Sequence, residues 1–125
     1  MYNSYLTVIA GPMFSGKSSE LIRRLQRYQI AKKKIEVFKP VIDTRYATDK
    51  ISSHCGVQFS AVPTGGTIAE VQPDTEVIGL DEVQFFSRAI VDFCMQQALK
   101  GIHVIAAGLD LDYREEPFEV TMRLM

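Results

Sequence analysis

Cysteine is scarce in this chain of 125 residues: there are two, Cys55 and Cys94, and no CxxC pair. That count and spacing exclude a disulfide scaffold and a local zinc site, and they suit a reducing compartment. An excess of one charge sign is also missing. Lys and Arg total 14 against 15 Asp and Glu, a formal net charge of −1, which argues against a nucleic-acid or membrane surface working by bulk electrostatics. The opening MYNSYLTVIAG has no basic region, and its apolar run is too short for a signal peptide or a membrane span. Internal repeats and low-complexity linkers are absent as well. What remains, at 46% hydrophobic and 23% charged residues, reads as one cytoplasmic domain with a single core.

Hydrophobic spacing organises that domain. YLTVIA at 5–10 is a β-branched run ending at a glycine and reads as a buried strand. Leu21, Ile22, Leu25 and Tyr28 then recur at helical spacing, predicting an amphipathic helix over 17–33. The run Lys32-Lys33-Lys34 reads as a solvated helix end that complements the dipole. IEVFK at 35–39 is the next strand, closed by Pro40. A polar, irregular stretch follows over 43–60, then a weak strand near 57–62 and a Gly65-Gly66 turn. EVIGLD at 76–81 is a further strand. A helix over 88–100 is expected to turn Ile90, Val91, Cys94, Ala98 and Leu99 inward and to stop at Gly101. IHVIAAG at 102–108 is the last strand, and 119–125 is helical. Strands alternating with helices predict an α/β fold with a mainly parallel sheet covered on both faces. Ligands of such sheets bind at the carboxyl ends of the strands. Polar clusters fall there at 11–18, at 81–82 and at 110–114.

The first cluster is chemically specific. Gly11, Pro12, Met13, Phe14, Ser15, Gly16, Lys17 and Ser18 match GxxxxGK followed by Ser or Thr, between a strand and a helix, as a phosphate-binding loop requires. Its glycines let successive N–H groups converge on phosphate oxygens, and the helix N-terminus adds positive potential. Lys17 is placed for the β- and γ-phosphates, and the Ser18 hydroxyl for magnesium. The loop therefore predicts a nucleoside triphosphate, and the fold becomes a three-layer P-loop NTPase fold. Asp81, at the end of an apolar strand, is the second metal anchor, and Glu82 is placed to act on the nucleophile. Read alone, the acid pair could instead be a surface turn. His54 and Cys55 have no partner at ligand spacing and read as loop residues. Cys94 reads as core.

Phosphate loops serve GTPases, motors and small-molecule kinases, so the loop does not choose among them. No NKxD-type guanine signature is present. GPMFSGKSSEL, VFKPVIDTRY, SSHCG, DEVQFF and GLDLDYREEPF, in that order, resemble the cytosolic type II thymidine kinases over essentially the whole chain. The resemblance implies transfer of the γ-phosphoryl of ATP to the 5′-hydroxyl of thymidine, with deoxyuridine as a second acceptor. It implies that Glu82 takes the hydroxyl proton and that Asp81 belongs to the magnesium site. Asp43 and Arg45 would contact the metal's water shell and the phosphates, and Gln84 lies in the ATP-site segment. Met13, Phe85, Leu109, Tyr113 and Phe118 match the positions that surround thymidine. Without the resemblance, Phe85, Leu109 and Phe118 would read as core, and Asp43 with Arg45 as a loop ion pair. Phe86 reads as core, and Glu115 and Glu116 as solvated.

The chain also departs from the family pattern. Val83 stands where a small residue is usual. Family members continue past Phe118 into a small zinc-binding domain and a long loop that closes over thymidine. This chain carries no zinc ligands of that kind, so residues 1–125 are expected to be the ATP-binding kinase domain alone; an amino-terminal portion of a longer kinase is the favoured reading, and a genuinely short relative that uses another chain or another nucleoside is the alternative. The resemblance implies a homotetramer, with no nucleic-acid or membrane partner. The reading from another class is a nucleotide-binding P-loop ATPase module without kinase activity.

Overall fold

Short β-branched segments form stable strands where both faces can be buried, and that arrangement organises this fold. The structure is a computed structural model that describes residues 5–12, 16–40, 50–52, 58–60, 62–64, 68, 71–110 and 119–125. In chain order the elements are β1 (Leu6–Gly11), α1 (Lys17–Ile30), β2 (Ile35–Pro40), β3 (Lys50–Ser52), β4 (Gln58–Ser60), β5 (Val62–Thr64) and β6 (Val77–Leu80). A single turn of 3-10 helix (Val83–Phe85), α2 (Ala89–Leu99), β7 (His103–Leu109) and α3 (Glu119–Leu124) complete them.

Five strands form one sheet in the order β1-β7-β6-β2-β5, and every pairing in it is parallel. Residues alternate between its two faces. Val37, Val77, Ile105 and Ala107 pack with Leu21, Ile22 and Leu25 of α1. Phe38, Ile78, Leu80, Val104 and Ala106 pack with Ile90 and Cys94 of α2 and Leu124 of α3. Helices on both sides make three layers, the α/β class that alternating strands and helices predict. Cys94 belongs to this core, and burial pushes its thiol up to about 12, which leaves it inert. Phe86 is core too.

Some boundaries differ from the sequence expectation. The first helix ends at Ile30 instead of 33, because Lys32 takes a left-handed conformation with φ 61°. Lys33, beyond it, is exposed and lies 3.4 Å from Glu76, as suits a solvated helix end. The irregular stretch contains a separate antiparallel pair, β3 with β4. The weak strand expected near 57–62 is divided between β4 and the edge strand β5. Leu99, expected inward, is 80% exposed. It lies nine residues from Ile90, about half a turn out of phase at 100° per residue, so it must face away. Among the described residues no helix is long and apolar enough to cross a membrane.

Candidate active site

The carboxyl edge of the sheet is assembled from three strand ends. β1 finishes at Gly11, whose carbonyl accepts a long 3.4 Å bond from the N–H of Asp110 just past β7. Between β1 and α1, Gly16 has φ 82°. A Cβ there would meet nothing within 4 Å, so glycine answers to backbone conformation and not to space. The carbonyl of Gly16 accepts the first helical bond, from Glu20 at 3.0 Å. Lys17 opens the helix, and its ammonium donates to the Pro12 carbonyl at 2.5 Å, folding the side chain back across the loop. Ser18 follows on the inner face of the same turn.

Across the sheet, the Asp81 N–H donates to Phe38 at 3.0 Å, continuing the ladder one residue beyond β6. That fixes a buried carboxylate directly below the loop. The Ser18 hydroxyl lies 3.2 and 3.3 Å from its two oxygens. Burial raises the Asp81 pKa above its ordinary value. The Ser18 hydroxyl, the Glu82 N–H and the charges of Lys39 and Lys17 pull the other way and do not cancel that effect. Glu82 is half-buried, and its backbone is left-handed at φ 53°. Burial first, then the neighbouring Asp81 charge, raises its pKa, while Lys17 and the Gln84 amide lower it. Two hard oxygen groups, the Asp81 carboxylate and the Ser18 hydroxyl, lie together with charge still to be neutralised, which fits a hard divalent cation that shares its shell with phosphates. No cluster of three or more His, Cys, Asp or Glu occurs among the described residues, and such a cation does not need one.

The structure thus brings Lys17, Ser18, Asp81 and Glu82 to one edge. Gln84 is buried, and its Oε1 accepts the Leu109 N–H at 3.0 Å. Phe85 is 45% exposed and not core, and Leu109 is partly exposed at the end of β7. Met13, Phe14, Ser15, Asp43, Arg45, Tyr113 and Phe118 lie outside the described residues, as do His54 and Cys55. Sequence reasoning missed Lys39, whose charge bears on Asp81, although a lysine inside the apolar strand IEVFKP is a visible signal. It also missed Gly108, where an added Cβ would stand 2.6 Å from Gln84 Oε1 and 2.7 Å from Val83 Cγ1.

A phosphate-type loop facing an acid pair across a parallel sheet narrows the field to nucleotide chemistry, and comparison with known families decides further. The family model for thymidine kinase matches residues 4–125. The chain belongs to the thymidine kinase family. The match spans every element of the sheet, so the fold is that of the family and is P-loop-like. Kinase function follows at the level of the family.

Proposed function

We propose that the chain phosphorylates thymidine, and deoxyuridine as a second acceptor, by moving the γ-phosphoryl of ATP to the nucleoside 5′-hydroxyl. The observation that carries this reading is the Ser18–Asp81 contact across the sheet, with Lys17 and Glu82 beside it. Lys17 lies where it can meet the triphosphate, and the loop amides cradle it. Ser18 and Asp81 would hold Mg²⁺, which when bound neutralises charge on the phosphate oxygens. Glu82 accepts the hydroxyl proton as the acceptor oxygen bonds to phosphorus and ADP leaves. A carboxyl raised above its ordinary pKa is a stronger proton acceptor, so the burial of Glu82 suits that role. Phe85 and Leu109, both with open surface near this edge, would face the nucleobase together with Met13, Tyr113 and Phe118; Asp43, Arg45 and the rest of the loop would attend the phosphates.

We also propose a cytoplasmic homo-oligomer, in keeping with the tetramers of the family. The exposed Met95 and Leu99 on α2 and Met122 on α3, with Met125 just beyond it, support it. Incubation with ATP, Mg²⁺ and a panel of nucleosides tests the activity. Thymidine and deoxyuridine monophosphates are the expected products. Phosphate release that needs no acceptor would replace this reading with a P-loop ATPase module.

A further inference from the structure

Gln84 is a costly residue to bury. A side chain of similar length without polar atoms would fill the same space, whereas an amide needs partners for both of its ends. One end has its partner, since Oε1 accepts the Leu109 N–H at 3.0 Å. The other, Nε2, is buried with no hydrogen bond of ordinary geometry, yet the amide is close enough to the Glu82 carboxyl to stabilise its charged form. The turn that carries both residues is strained where it begins, at the left-handed Glu82. It also packs directly on β7, because Gly108 has no side chain to hold it off.

We infer that Gln84 is the positioning residue of the site: its amide clamps the Glu82 turn to the end of β7, and Gly108 is the clearance that lets the clamp close. The inference rests on the kinase reading above and deepens it. One hydrogen bond then couples the proton acceptor at the end of β6 to Leu109, on the wall where the nucleobase would lie. The link runs from the Glu82 turn to Leu109, which pairs with Gly11 at the start of the phosphate loop, but it includes neither Lys17 nor Ser18, so the clamp acts on transfer geometry more than on nucleotide affinity. Displacing a reacting group by about 1 Å lowers rates roughly a hundredfold.

Gln84→Met keeps the length and removes the acceptor. It is expected to lower kcat for thymidine about 10–100-fold with the KM for ATP within about twofold. Exchange of the Leu109 amide hydrogen should accelerate about tenfold or more, as a released hydrogen bond requires. Gly108→Ala should act in the same direction with the amide intact, and the double variant should be no worse than the poorer single one. Phe86→Leu, in the neighbouring core, is the control for lost stability and should retain kcat. An unchanged kcat in a folded Gln84→Met chain overturns the inference, as does a kcat and ATP KM that deteriorate together in step with the melting temperature. Should Gln84→Met fail to fold, Gly108→Ala decides by the same two readouts. If the wild-type chain phosphorylates no nucleoside, the kinase reading fails by itself. Amide exchange at Leu109 and Glu82 still tests the clamp, and an unaltered rate there sinks it.

Discussion

Asp81 and Glu82 are neighbouring acids held in different ways. Asp81 continues a strand and is bonded on both its backbone and its carboxylate. Glu82 leaves that strand through a left-handed conformation, which costs about 1–3 kcal/mol for a residue with a side chain. Strain of this kind fits a side chain whose aim matters more than its comfort. Glu82→Gln keeps size and turn while removing the proton acceptor, so phosphoryl transfer should slow by about 10²–10⁴-fold. ATP affinity measured by calorimetry should stay nearly unchanged; a lost affinity would move Glu82 into the nucleotide site. Asp81 yields a prediction about stability. Its carboxyl pKa is raised in the fold, so as pH rises the unfolded chain ionises first and the folded chain is penalised. That penalty is absent below the ordinary carboxylate range and complete once the pH exceeds the folded pKa. Asp81→Asn should therefore raise the melting temperature of the nucleotide-free chain at pH 7, by about 2–6 °C, with the gain fading near pH 3. The same variant should lose Mg²⁺-dependent turnover, the exchange of stability for function expected at a site of this kind.

The two long helices end in the same way with different residues. In α1, Lys33 N–H reaches the Tyr28 carbonyl and Lys32 N–H reaches that of Gln29, both at 3.0 Å. In α2, Ile102 N–H reaches Gln97 at 3.1 Å and Gly101 N–H reaches Ala98 at 3.0 Å. Both are Schellman closures, and each needs a left-handed residue, Lys32 at φ 61° and Gly101 at φ 86°. Only the second has the residue that adopts it without strain. Lys32→Gly should stabilise the chain by about 0.5–1 kcal/mol, and Gly101→Ala should destabilise it by about 1 kcal/mol, both by thermal or denaturant unfolding. The pair also shows what could be read in advance. The Gly101 stop is legible because glycine declares itself, whereas a lysine cap inside a basic run gives no sign, and helical spacing alone carries α1 past it to 33. Helical periodicity places Leu21, Ile22 and Leu25 inward, and the same periodicity, counted from Ile90, turns Leu99 to the solvent. β5 was hidden for another reason. It has three residues including Pro63, and it is a strand only because β2 offers it an edge to pair with, where a missing amide donor is tolerated. Such pairing is decided by tertiary contact and leaves little local pattern. Of the site, the loop and acid pair were evident from residue type and spacing, while the Gln84–Leu109 bond depends on strands brought together from distant parts of the chain.

At the scale of the whole molecule, the nucleotide edge and the core are joined through α1. The helix that begins with Lys17 and Ser18 buries Leu25 two turns later against Gly79 of β6, where an added Cβ would come within 3.0 Å of Leu25 Cδ1. Asp81 is two residues beyond that contact, one past the end of the same strand. Leu25 therefore sets the distance between helix and strand on which the Ser18–Asp81 contact depends. Leu25→Ala, at a fully buried position, should cost about 2–4 kcal/mol, a large share of the about 5–15 kcal/mol that holds a domain folded. Ligand binding offers the opposite lever, because a nucleotide that binds only the folded chain stabilises it by about 2.7 kcal/mol at a hundred times its Kd. For a chain of this length that is a rise of roughly 10 °C in Tm. If α1 links core and site, Mg-ATP should restore most of the Tm lost by Leu25→Ala, but only at higher concentrations than the wild-type chain needs, since the weakened packing also loosens Ser18 and Asp81. Lys17→Ala should melt close to the wild-type temperature without nucleotide and gain little when it is added. A Leu25→Ala chain that responds to Mg-ATP at the wild-type concentration would show that the helix positions its first turn independently of its packing.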